Sequence, residues 1–99
     1  MKRLIVHTEA ELELWQAADY YETKASGLGL DFELEVRRAF FDIQEAPNRW
    51  PVRQNGACCF LLHRFPYAIY YIEIEDIIWI VAVAHMRREP YYWRNRLNQ

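Results

Sequence analysis

Residues 63–96, HRFPYAIYYIEIEDIIWIVAVAHMRREPYYWRNR, decide the fold. Two apolar, β-rich runs sit back to back at 67–74 and 77–84, joined by Glu75 and Asp76. A two-residue link of that kind predicts a hairpin. The second run, extended to His85, is apolar on both sides, which predicts a central strand covered on both faces. Each end of the pair carries rings and cations: His63, Arg64 and Tyr67 before it, then His85, Arg87, Arg88, Tyr91, Tyr92, Trp93, Arg94 and Arg96 after it. A sheet core has no need of such polar ends, so function is expected there.

Outward from this hairpin, residues 57–65 read as another strand, with Pro66 as a bend or edge site. Residues 48–56 (NRWPVRQNG) read as a loop, marked by Pro51 and an Asn55–Gly56 turn, with Trp50 closing the end of the helices. Residues 29–45 read as a helix whose apolar stripe is Phe32, Val36, Ala39, Phe40 and Ile43, ended by Pro47. An earlier helix is expected from Thr8 to about Ala25, stopping at Ser26–Gly27. Thr8 and Glu11 spell a capping box. Its apolar positions are read as Leu12, Trp15, Ala18 and Tyr21. Glu9, Glu11, Glu13, Asp19 and Glu22 are read as a solvated acidic face. Residues 2–7 alternate as a short strand. Residues 91–97 suggest a short terminal helix beyond Pro90.

The expected fold is therefore α+β: an N-terminal strand, an antiparallel helix hairpin, a three-stranded antiparallel meander and a short C-terminal tail, forming a single domain over 1–99. The helices should cover one sheet face, leaving the other face and the cleft beside the tail open to a partner.

Composition narrows the function. Of 99 residues, 53% are hydrophobic and 16% aromatic, enough for a core without metal or disulfide support. Cys58 and Cys59 are adjacent and alternate across a strand, so they are expected as reduced thiols, consistent with a cytoplasmic protein. No signal peptide and no membrane-length apolar run is visible. A net charge of -2 excludes a bulk basic nucleic-acid binder. The balance is uneven: residues 1–48 carry a net of -5 and residues 49–99 a net of +3. All seven cations of the second half are arginines, whose planar fork suits phosphate or carboxylate. No cofactor is implied. His63 and His85 without a third ligand make no metal site.

Several stretches resemble the RelE/ParE superfamily of type II toxin–antitoxin toxins, which includes plasmid stabilisation proteins: YYETKASGLGLDFELEV (20–36), IQEAPNRWP (43–51), HRFPYAIYY (63–71) and IIWIVAVAHMRREPYYWRNR (77–96). The combination R-F-P-Y-x-I-x-Y with A-V-x-H-x-R-R-x-P-x-Y-W is the specific part, and it covers nearly the whole chain. The resemblance implies a RelE/ParE-like fold and a growth-inhibiting cytoplasmic toxin held inactive by a cognate antitoxin in a toxin–antitoxin hetero-oligomer. It implies an apolar groove for that antitoxin, with the C-terminal arginines able to meet acidic side chains.

The superfamily divides by target, and the scaffold does not decide between them. RelE-like members cleave mRNA on the translating ribosome without metal. Here Arg64 and Arg88 would clamp the scissile phosphate, His85 would exchange a proton, and Tyr92 would stack on a base or donate a proton. ParE-like members poison DNA gyrase and need only a binding surface. Here Arg87, Arg88, Tyr91, Tyr92, Trp93 and Arg96 are the residue types of binding hot spots. The chain departs from the RelE pattern in having no lysine after Lys24 and a pI of about 5.9, which weakens attraction to an RNA backbone. The pattern is closer to the ParE side. The alternatives are the ribosome-dependent nuclease and a non-toxic chain that only binds antitoxin.

Overall fold

A computed structural model describes residues 1–53 and 56–98. The element order is β1 (Arg3–Val6), α1 (Thr8–Lys24), α2 (Leu28–Glu45), a 3-10 turn (Pro47–Arg49), β2 (Cys58–Leu61), β3 (Tyr67–Ile74), β4 (Ile77–His85) and a C-terminal 3-10 helix (Arg94–Asn98). This is the expected α+β order. Asn55, half of the turn expected at 55–56, lies outside the described residues; Gly56 has φ 78°.

The sheet order is β1-β4-β3-β2. β1 lies parallel to β4, while β2, β3 and β4 form the antiparallel meander. β4 is thus central at its first half, as its two-sided apolar sequence requires. Glu75 takes φ 55° to close the β3–β4 hairpin.

Two layers pack on the sheet. On one face, α1 and α2 bury Leu14, Phe32, Val36 and Ile43 against Ile69, Tyr71, Ile78, Ile80 and Val83. Each fully buried aliphatic or aromatic side chain contributes about 1.5–3 kcal/mol relative to exposure. The other face was expected to stay open. Instead the tail folds over it: Trp93 packs with Ala57, Val81, Ala82 and Ala84, joined by Tyr70, Ile72, Trp79, Tyr91, Tyr92 and Leu97.

A β-bulge explains how β4 serves both layers. The β3–β4 register passes from Tyr70↔Ala82 to Tyr71↔Ile80, leaving Val81 unopposed. A bulge inserts one residue and shifts the alternation of side chains. Before it, Ile78 and Ile80 face the helices and Trp79 faces the tail; after it, Val83 faces the helices while Ala82 and Ala84 face the tail. Small alanines on the tail side leave room for the Trp93 ring.

Three local expectations are corrected. Thr8 does not cap α1: His7 does, its Nδ1 accepting the Glu9 N–H at 3.0 Å. The buried face of α1 is Ala10, Leu14, Ala17 and Ala18, with Tyr21 beside it, and Leu12 and Trp15 are exposed. The helix hairpin crosses closely near its turn. A Cβ on Gly29 would lie 2.5 Å from the Ala18 carbonyl oxygen. The acidic face of α1 is also not simply solvated. Glu22 accepts the Gly27 and Gly29 N–H groups at 3.0 Å each, capping α2, whose Gly27 N-cap has no side chain. Glu13 is turned inward.

β2 is shorter than the strand expected at 57–65. Residues 62–66 form a bend, held where the Glu35 carboxylate accepts the His63 and Arg64 N–H groups at 2.7 and 3.2 Å. Cys58 and Cys59 are free and buried, as expected.

Candidate functional site

β1 stops at Val6, and His7 donates the last bond to the Ile80 carbonyl at 2.9 Å. Beyond Ile80, that edge of β4 has no strand beside it. Backbone groups in such a place must find other partners. The bulged Val81 carbonyl accepts Arg96 Nη1 at 2.9 Å, and the Val83 N–H donates to Glu13 Oε1 at 3.0 Å.

Glu13 and Arg96 also bind each other through both ends, at 2.9 and 3.0 Å. Their side chains are only 11% and 14% exposed. A bidentate pair this dry stands well above a surface ion pair, and removing one partner strands the other charge. The Tyr92 hydroxyl donates to Glu13 Oε2. Burial first, then the hydrogen bond to the Glu13 carboxylate, pushes the Tyr92 phenol well above its ordinary range. Burial opposes the charge of Arg96, but the Glu13 bond and charge outweigh it and raise its pKa. One carboxylate on α1 therefore ties the tail to the edge of the sheet.

The arginines split into two sets. Arg96 is held inside. Arg87, Arg88 and Arg94 are exposed and form no ion pair among the described residues. Arg88 lies over the Tyr92 ring, 3.8 Å from its centroid, a cation–π contact that fixes the guanidinium without neutralising it.

His85 ends β4 opposite Tyr67, the two rings edge to face at 5.1 Å. Its Nδ1 accepts the Arg87 N–H at 3.0 Å, so the neutral ring carries its proton on Nε2. The Arg88 N–H bonds the His85 carbonyl at 3.0 Å, and the Met86 N–H bonds the Pro66 carbonyl at 2.8 Å. The turn carrying Arg87 and Arg88 is thereby fixed to the sheet.

An open groove of about 250 Å³ runs between α1 and this turn, lined by Glu13, Gln16, Tyr20, Tyr67, His85 and Arg88 among others. A smaller hollow of about 100 Å³ lies behind, between the strand ends and residues 88–93. On the tail side of the sheet, Ile72, Ile74, Ile77, Trp79, Val81 and Leu97 line an apolar groove of about 250 Å³, rimmed by His7, Glu75 and Arg96.

The structure thus brings His85, Arg88 and Tyr92 together, but not Arg64. Arg64 lines neither groove beside His85. It reaches Asp31, on α2, at 3.6 Å, and that pair is largely exposed. Of the residues read as a binding surface, Trp93 is 1% exposed and belongs to the core. Tyr92 and Arg96 are mostly committed to Glu13. Arg87, Arg88 and, in part, Tyr91 remain at the surface. Tyr91 takes φ 60°, turning the chain so that Trp93 enters the sheet.

Sequence reasoning missed Glu13. It sits among acidic neighbours, and only the buried arginine far along the chain distinguishes it. Among the described residues there is no cluster of three or more His, Cys, Asp or Glu able to hold a metal, and no helix is long and apolar enough to cross a membrane.

The fold is similar to that of a chain from a solved structure described as the chromosomal ParDE TA system from P. aeruginosa. The TM-score is 0.75 at 19% identity, and the match covers 86% of this chain and 96% of that one. At this identity the likeness is one of fold, and the fold is the RelE/ParE-like one expected from the sequence. No protein-family model and no curated protein matches the sequence.

Proposed function

We propose that this chain, built on the fold of a ParDE chain, is the toxin of a type II toxin–antitoxin system that arrests growth in the cytoplasm by binding DNA gyrase. The observation that carries this reading is the Tyr92–Glu13–Arg96 cluster. It commits the Tyr92 hydroxyl to a buried carboxylate, and Arg64 stands apart from His85 and Arg88. Both points support a binding surface over a phosphate clamp with an acid and a base. What the tail offers is a fixed surface with free guanidinium groups at Arg87, Arg88 and Arg94, suited to a protein partner.

The antitoxin is proposed to lie in the apolar groove on the tail side of the sheet. Its floor of Ile72, Trp79 and Leu97 suits the apolar face of a segment that orders on binding. Acidic antitoxin residues would meet the exposed arginines.

One observation favours the second reading, an mRNA endonuclease. His85 and Arg88 share a groove, and a histidine beside an arginine can move a proton next to a phosphate. A paired assay separates the two. Purified chain is added to gyrase with relaxed plasmid, and separately to a translating extract with labelled mRNA. Loss of supercoiling with accumulation of cleaved plasmid, mRNA intact, is the expected result. Cut mRNA with supercoiling unaffected overturns it in favour of the nuclease. Activity in neither assay from folded protein leaves an antitoxin-binding chain.

A further inference from the structure

α2 carries two apolar stripes. The first, from Phe32 to Ile43, faces the core. The second is Leu30, Leu34 and Phe41, with Arg37 completing the i, i+4, i+7, i+11 spacing of one helix face. From α1, Trp15 joins it, the Arg37 guanidinium lying 5.7 Å from the Trp15 ring centroid. Leu12, one helical turn before Trp15, extends the patch. These five apolar residues are 40–56% exposed on the solvent side of the hairpin. Patches of this kind mark interaction surfaces.

The charges along α2 say what fits there. Asp31 and Glu33 flank the first half of the stripe, and Arg37 and Arg38 the second half. Within the chain Arg37 pairs with Glu33 at 2.8 Å, Arg38 reaches Asp42 at 3.8 Å and Asp31 reaches Arg64 at 3.6 Å, partly exposed pairs that a facing copy would share or exchange. A second α2 laid antiparallel about a two-fold axis near Leu34–Glu35 sets Glu33 against the partner's Arg37, Asp31 against the partner's Arg38, and Leu30 against the partner's Phe41, each twice. A self-complementary surface of this kind is what a two-fold dimer needs.

We propose that the outer face of the α1–α2 hairpin is the interface of a homodimer, with α2 packed antiparallel on its symmetry mate. At 1.5 Å per residue α2 is about 27 Å long, so the hairpin face is smaller than the roughly 800 Å² per partner of a standard interface. An interface of that size suits a reversible dimer. This proposal is independent of the target of the toxin, because the dimer uses neither the tail nor the groove at Arg88.

Sedimentation of the whole chain across the micromolar range tests it, using Leu34→Glu, Glu33→Lys and Arg37→Glu, with circular dichroism confirming the fold of each. All three positions are partly or well exposed. The wild type should dimerise and Leu34→Glu should be monomeric. Glu33→Lys and Arg37→Glu should each weaken self-association by about tenfold or more. Mixed one to one, they should recover a heterodimer, because the charge changed in Glu33→Lys then faces its opposite in Arg37→Glu across the axis. A wild type that stays monomeric overturns the proposal. So does a dimer indifferent to Leu34→Glu, or a mixture that shows no recovery. Protection of this face from hydrogen exchange by an added antitoxin, with the chain monomeric alone, assigns the face to the antitoxin and overturns the proposal equally.

Discussion

The two faces of the central sheet are held in different ways. The helix side is an apolar core built from α1 and α2, dense in large side chains and independent of any charge. The tail side has a small core around one tryptophan, and its position depends on a carboxylate and a guanidinium buried together at an unpaired strand edge. The first resists local change because many contacts share the load. The second concentrates its stability in a few side chains. It is also the side that presents Arg87 and Arg88, so the proposed functional surface rests on the less redundant half of the molecule.

The largest expected effect separates the two cores. Phe32→Ala on the helix side should cost about 3–5 kcal/mol, felt across the whole cooperative unfolding transition. Trp93→Ala removes a side chain of similar burial, yet its loss should release residues 91–98 while the helices and β1 to β4 stay folded. Native-state hydrogen exchange reads this directly: protection in α2 should survive Trp93→Ala and fall in Phe32→Ala. Equal collapse of both variants would show that the two sides are one unit.

Next in size is the ion pair. Glu13→Gln or Arg96→Met alone leaves one buried charge without its counterpart, and each should cost about 3 kcal/mol. The double variant should cost less than the sum, a coupling of about 1–3 kcal/mol in denaturant titrations. Additive losses would mean that the pair is incidental and the Val81 and Val83 backbone groups are held otherwise.

A smaller effect comes from pH. The folded-state pKa of Tyr92 is raised by burial and by Glu13, so unfolded chains lose this proton at lower pH than folded ones. Its contribution is fully present below the ordinary tyrosine pKa of about 10 and is lost as pH rises above it. Tyr71 is raised in the same direction by burial and by its neighbour Cys58. Thermal stability should therefore fall above about pH 10, and Tyr92→Phe should make that fall shallower without abolishing it. An identical alkaline profile in Tyr92→Phe would remove Tyr92 from the account.

The smallest stability effect is expected at Arg88. Its side chain is exposed and lies over the Tyr92 ring, so Arg88→Ala should change unfolding free energy by about 0.5 kcal/mol or less. Toxicity should nevertheless be lost.

How far the sequence carried these conclusions follows the range of the interactions involved. β3, β4 and α2 were legible because their periodicity and the Glu75–Asp76 link are local signals. On α1 the larger residues, Leu12 and Trp15, dominate the local pattern, yet the buried face is built on Ala10, Leu14, Ala17 and Ala18, and only Ala18 lies at the close crossing with Gly29. His7 was passed over as a cap because Thr8 and Glu11 match a stronger local pattern. The bulge at Val81 leaves no mark in an unbroken apolar run. Glu13 could be recognised only through Arg96, 83 positions away, and no pattern of neighbouring residues announces that pairing. The tail stands out for its aromatic and arginine content, but sequence alone could not sort the buried Trp93 from the exposed Arg88.

The most direct test of the central claim is pulse labelling of DNA and protein synthesis in cells within minutes of inducing this chain alone, with Arg88→Ala induced to the same level. The account predicts an early fall in DNA synthesis with protein synthesis continuing, and no fall with the folded Arg88→Ala chain. An early fall in protein synthesis, or an Arg88→Ala chain as potent as the wild type, would contradict it.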